Sequence, residues 1–80
     1  MPTYYFNLFD DVISLDPEGR SLTNDAVALQ EGIKSARIMA ADSVSRGKLN
    51  LDHRIEVRDD HHRAVGAIHF RDVVKIETHK

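Results

Sequence analysis

The sequence predicts an α+β domain: a four-stranded antiparallel sheet, ββαββ in order 2-1-3-4, with one long helix packed on one face. Three observations lead there. Two stretches near the ends, "YYFNLFDDVISL" and "LDHRIEVRDDHHRAVGAIHF", alternate apolar and polar residues on either side of acidic turns, the pattern of hairpins. Between them, "LTNDAVALQEGIKSARIMAADSVSRG" repeats its apolar residues at helical spacing. At 80 residues without cysteine, the chain has room for one sheet layer, one helix and no disulfide framework. Residues 1–80 are therefore expected to form a single domain.

In the first hairpin, a two-residue turn at Asp10-Asp11 sets Leu8 opposite Ile13 and Phe6 opposite Leu15 on the core side. Phe9 and Val12 fall on the other side. Such a turn favours glycine at its second place, because the backbone there is left-handed. "DPEGR" follows as a turn, with Pro17 fixing φ and Gly19 closing it. The helix is capped by Asn24 or Thr23, carries Asp25 at its positive end, and stops at Gly47. Ala26, Leu29, Ile33, Ala36, Ala40 and Val44 form its expected core stripe, flanked by Ala28, Gly32 and Met39.

The second hairpin turns at Asp59 to His62, placing Val57 opposite Ala64, Ile55 opposite Gly66 and Leu51 opposite Phe70. Ile68 shares that side. Arg54, Glu56 and Arg58 project to the other face with Val65, Ala67 and His69. The tail "DVVKIE", 72–77, continues as an extended stretch or forms a further short strand.

The chain resembles a family of short bacterial proteins, frequent in soil and root-associated bacteria, whose function is uncharacterised. The family pattern runs aromatic-Tyr-Phe-x-aliphatic-x-Asp-Gly, Asp-x-Glu-Gly-x-x-Leu-x-Asp, a helix, then Ile-Glu-Val-Arg-Asp. Here these stretches read "YYFNLFDD", "DPEGRSLTN" and "IEVRD". Two family glycines are replaced, by Asp11 in the first turn and His62 in the second, and both residue types tolerate a left-handed backbone. The resemblance implies no catalytic or binding residues. More distantly, the hairpin-then-helix order is similar to the antitoxin half of HicA/HicB-type toxin–antitoxin pairs, which speaks to architecture alone.

Composition narrows the function classes. Eleven basic residues against thirteen acidic give a net charge of −2, with no basic footprint for nucleic acid and no polybasic membrane patch. Protonating all five histidines would carry the charge from −2 to +3. The N-terminus lacks a charged and apolar leader, and no stretch reaches 18 apolar residues. A cytoplasmic protein is expected.

"RDDHHR", 58–63, invites a metal reading, but ligands must converge, and adjacent histidines lack the i, i+4 spacing that sets two imidazoles on one helical face. A turn is the better reading, with Asp59 or Asp60 binding its amides and His62 left-handed. His53 and His69 could approach one another or Asp52 across the hairpin as a surface pair. The carboxylates Asp10, Asp11, Asp16 and Glu18 belong to turns rather than to a cleft. No GxSxG elbow and no phosphate-binding glycine loop occur, so neither an enzyme nor a cofactor is expected.

The side of the sheet away from the helix carries Tyr5, Phe9, Val12, Val65 and Ala67, several neighbouring apolar residues that suggest a contact surface. Val27 and Ile38 lie on the helix opposite its core stripe. A homodimer or a small protein partner is the expected use. The alternative is nucleic-acid binding, alone or as an antitoxin-like regulator, through stacking on Tyr5 and Phe9 beside Arg54 and Arg58. Glu56 between the arginines and the negative net charge argue against it.

Overall fold

The computed structural model describes residues 1–79. Seven elements follow in order: β1 (Thr3–Phe9), β2 (Ile13–Ser14), β3 (Arg20–Ser21), α1 (Asp25–Ser45), β4 (Arg54–Asp59), β5 (Ala64–His69) and α2 (Phe70–Val73). The sheet is antiparallel throughout and runs β2-β1-β4-β5, with β3 also pairing with β1. Since β4 occupies one edge of β1 over residues 4–9, β2 and β3 share the other.

The α+β class and the single long helix agree with the sequence; the strand count does not. The expected second strand is broken in two because Asp16 leaves the ladder and turns its carboxylate onto it. The Phe6 amide donates to Asp16 Oδ2 at 3.2 Å, the amides of Glu18 and Gly19 donate to Oδ1 at 3.1 Å, and the Asp16 amide donates to Asn7 Oδ1 at 2.9 Å. A side chain thus takes the place of a strand along the middle of β1.

The register of the first hairpin also departs from expectation. Phe9 pairs with Ile13 and Leu8 with Ser14, so the turn has three residues instead of two. Asp11 does not take positive φ; instead Asp10 Oδ1 accepts the Val12 amide at 3.0 Å in an Asx-type turn. A slip of one residue exchanges the faces. Ile13 and Leu15, expected in the core, lie on the outer face.

Helix α1 begins where local chemistry places it, with Asn24 Oδ1 accepting the Val27 amide at 2.9 Å. It ends in a Schellman motif: Gly47, at φ +85°, donates to Val44 O at 2.8 Å and Lys48 to Ser43 O at 3.1 Å. Its buried line is Ala28, Gly32, Ala36 and Ala40. The expected stripe is therefore rotated, with Leu29 and Ile33 on its flank and Ala26 and Val44 exposed. Close approach decides this. A Cβ at Gly32 would stand 2.3 Å from Ile68 Cδ1, and one at Gly66 would stand 2.7 Å from Leu29 Cδ2, so helix and sheet interlock through their smallest residues. The remaining core is Tyr4, Ile55, Val57, Ile68 and Phe70.

In the second hairpin Val57 pairs with Gly66 and Ile55 with Ile68, two residues from the expected register, so the faces are conserved. The exception lies at a bulge. Val57 pairs with Gly66 but Arg58 with Ala64, leaving Val65 as the extra residue. The bulge turns Val65 toward the core and Ala64 outward, the reverse of expectation. After β5 the chain makes the single helical turn α2, fixed by Phe70 N–H to His53 O at 2.9 Å. Residues 74–79 form no strand. No described helix is long and apolar enough to cross a membrane.

Candidate interaction surface

The two acidic corners of the sheet have opposite characters. At the second, "RDDHHR" closes around Asp59, 7% exposed and the only buried charged residue among those described. Its Oδ1 accepts the amides of His61 and Arg63, both at 2.9 Å, and its Oδ2 accepts Arg63 Nε at 2.9 Å. His62 occupies the left-handed region at φ 62°, where the sequence placed it. The Arg63 side chain and amide, with the His61 amide, outweigh burial and hold the Asp59 carboxyl down at about 2.

The network continues beyond the turn. Arg63 Nη2 reaches Asp25 Oδ2 at 3.1 Å, and Tyr4 Oη donates to Asp25 Oδ1 at 2.7 Å. The hydrogen bond to Asp25, then burial, then the Asp25 charge push the Tyr4 phenol up to about 12. Four side chains therefore join β1, the first turn of α1 and the second corner. Sequence reasoning assigned Asp25 to the helix end and Asp59 to the turn, but gave no role to Tyr4 or Arg63.

The outer sheet face is more closed than its letters suggest. Glu56 receives Arg54 and Arg58 from either side at 3.3 Å each, and the Arg54 guanidinium lies 4.4 Å over the Phe9 ring. Tyr5 and Phe9 are half-buried, as are Val27 and the re-aimed Val65. Of the seven apolar residues named for the contact surface, Ala67, Val12 and Ile38 are exposed, the last two at 66% and 64%, and the other four are half-buried. The slipped register exposes Ile13 and Leu15 as well, at 66% and 68%. Three large apolar side chains thus stand within four consecutive residues: Val12 in the turn, Ile13 on β2 opposite Phe9, and Leu15 just after the strand. Asp10 and Asp11 precede them; Asp16 and Glu18 follow. Among the described residues, nothing pairs with the far edge of β2.

Behind this corner, between β1 and the C-terminal half of α1, lies an open groove of about 590 Å³. Leu8, Met39 and Phe70 line its apolar part, with Asp11, Lys48 and His53 among its polar groups. His53 Nε2 is buried without a hydrogen-bond partner, 3.6 Å from Asp11 Oδ1, and its ring meets Phe70 edge-on at 5.7 Å. Lys48 Nζ stands 3.5 Å from Asp11 and Arg46 2.8 Å from Asp42, so the rim charges are largely paired among themselves.

The histidines do not gather. His69 lies 3.6 Å from Asp72 while Asp52 pairs with Arg71. Among the described residues no three His, Asp or Glu side chains stand close enough to hold a metal ion together. A family model described as a domain of unknown function, DUF6894, matches residues 3–71. No curated protein and no solved structure matches the chain.

Proposed function

The chain belongs to the DUF6894 family of domains of unknown function, and with no activity to inherit we propose that it is a non-catalytic interaction module. Its contact surface is the first corner, Phe9, Val12, Ile13 and Leu15. The observation that carries this reading is the exposure of Val12, Ile13 and Leu15 together around the unpaired edge strand β2. Edges are normally blunted by charge, proline or covering chain, and clustered exposed apolar residues mark contact sites. Covering Ile13 and Leu15, each about two-thirds exposed, contributes on the order of 1–2 kcal/mol per residue.

The charges around the corner select the partner. An antiparallel copy of the same strand would set Asp10 or Asp11 against Asp16 or Glu18, and like charges directly opposite destabilise a ladder. The corner suits an extended segment with alternating apolar residues and basic groups beside them. Nucleic-acid binding loses support from the pairing of Arg54 and Arg58 with Glu56 and from the guanidinium that covers Phe9.

Anisotropy titrations of labelled peptides test the reading. Peptides with two apolar residues at alternate positions between basic ends should bind, and acidic-ended versions should not. Combined Ile13→Asp and Leu15→Asp should abolish binding while leaving the melting temperature within a few degrees of wild type, because both positions are exposed. If no basic-ended peptide binds, the corner is not the contact surface.

A further inference from the structure

We propose that the segment taken up at the first corner is residues 74–79 of a second copy of this chain. This rests on the reading of the corner as a contact surface and adds the identity of its occupant. After α2 the chain runs extended, with Val74 at φ −124° and ψ 122°. Among the described residues, no main-chain group from Lys75 to His79 has a hydrogen bond to the rest of the molecule. The segment nevertheless has the pattern of a strand. Val74, Ile76 and Thr78 alternate with Lys75, Glu77 and His79, and Lys75 Nζ lies 3.3 Å from Glu77 Oε1, as same-side neighbours of an extended chain do. Ile76 is 60% exposed. Val74 packs against the core of its own copy, so Ile76 is the apolar side chain the segment offers. A strand-patterned segment without a ladder and a short ladder edge without a strand are thus present in one molecule.

The chain cannot join these within one copy. The tail leaves from the β5 side, and the order β2-β1-β4-β5 sets β2 three strand spacings away, about 14 Å. Residues 75–79 span roughly 17 Å when extended, so crossing the sheet leaves nothing to lie along β2. A second copy meets no such limit, and reciprocal exchange about a two-fold axis closes a dimer. Lys75 lies on one side of Ile76 and Glu77 on the other, while acids lie on both sides of Ile13 and Leu15, so tail on corner sets Lys75 against an acid where corner on corner sets only like charges together.

Light scattering on the full-length protein decides it, with Ile76→Asp, Lys75→Glu and the Ile13→Asp, Leu15→Asp double variant beside wild type. Wild type should be a dimer, and Ile76→Asp and the double variant monomers. Lys75→Glu should weaken the dimer about tenfold, an effect that fades as salt rises. A labelled peptide of residues 74–79 should bind the monomeric Ile76→Asp chain and fail to bind the double variant. A dimer that survives Ile76→Asp but not the corner substitutions overturns the tail and leaves the corner standing. A wild-type monomer at every concentration, with no peptide bound, also overturns the tail. The corner is then judged by the basic-ended peptides, and their failure as well removes both readings.

Discussion

Both hairpins turn on acidic residues, yet the second corner is closely fastened and the first stands open. At 58–63 the carboxylate of Asp59 points inward, where it gathers two amides and a guanidinium and passes the connection through Asp25 to Tyr4. At the 10–12 turn the Asp10 carboxylate caps one amide at the surface, and Val12, Ile13 and Leu15 face solvent before Asp16 refastens the chain to β1. The number of donors that converge on the acid separates a structural turn from a presenting one. Local sequence alone does not, since each corner begins with two aspartates.

The largest effect that could break this comparison is Asp59→Ala. It removes the acceptor of the His61 and Arg63 amides in a part-buried turn and leaves Arg63 with Asp25 alone. Melting should fall by on the order of 10 °C, and Asp59→Asn, which keeps an acceptor oxygen, should recover part of that. If Asp59→Ala melts no lower than Asp10→Ala, the two corners do not differ in the way described.

Next in size is the pH dependence. Asp59 is held at about 2, and Asp16 is also lowered, since amide hydrogen bonds from Gly19, Phe6 and Glu18 with the charge of Arg20 outweigh a burial that alone would raise it. A depressed folded-state pKa contributes stability that is present above the ordinary carboxylate value of about 3.9 and lost as pH falls toward 2. Denaturant melts should show this acid limb in wild type and a shallower one in Asp59→Asn. Tyr4 works in the opposite sense. Raised to about 12, it contributes stability that is present below pH about 10 and lost as pH rises toward 12, and Tyr4→Phe should flatten that alkaline limb. Equal limbs in variants and wild type would mean that the network does not couple to folding.

Asp10→Ala is a smaller perturbation. It removes one exposed cap and should lower melting by at most a few degrees, while changing peptide binding at the corner through turn geometry. Smallest is His62→Gly, which relieves a left-handed histidine at φ 62°. The strain removed, below about 1–2 kcal/mol for a residue that tolerates the region, is partly offset by the greater unfolded-state freedom of glycine. The expected outcome is a net gain of less than about 1 kcal/mol, read as a slightly higher melting temperature. A loss would show that the imidazole makes a stabilising contact at the corner.

Much of the fold was legible because its signals are local. Asn24 and Gly47 bound the helix by their own chemistry, and Asp59 with His62 marks the second turn. The first hairpin was misread because Ile13-Ser14-Leu15 alternates equally well in either register. The three-residue turn is held by the Val12 amide on Asp10 and by the bonds between Asp16 and β1, neither of which shows in the alternation. The helix stripe was misjudged by weighting large apolar residues. The signal that finds it is the i, i+4 run of Ala28, Gly32, Ala36 and Ala40, small enough for the sheet to approach. The candidate surface is half legible: the pattern points to Phe9, Val12 and Ile38 but assigns Ile13 and Leu15 to the core, and the bulge that half-buries Val65 has no mark in the letters. The Tyr4–Asp25–Arg63–Asp59 network joins residues 21 and 38 positions apart, and pairings at such distances leave no trace in local pattern.

That network also bears on how the chain unfolds. Its links connect the start of the chain, the start of the helix and the last hairpin, so each must wait for long loops to close and for all three elements to dock. We expect these contacts to form after the folding transition state, so that their removal acts on the rate of leaving the native basin rather than on the rate of entering it. In stopped-flow experiments, Asp59→Ala and Tyr4→Phe should steepen the loss of native protein by accelerating the unfolding limb while the refolding limb stays close to wild type. The buried carboxylate of the second corner then serves as a kinetic latch, setting how long the folded molecule lasts between openings.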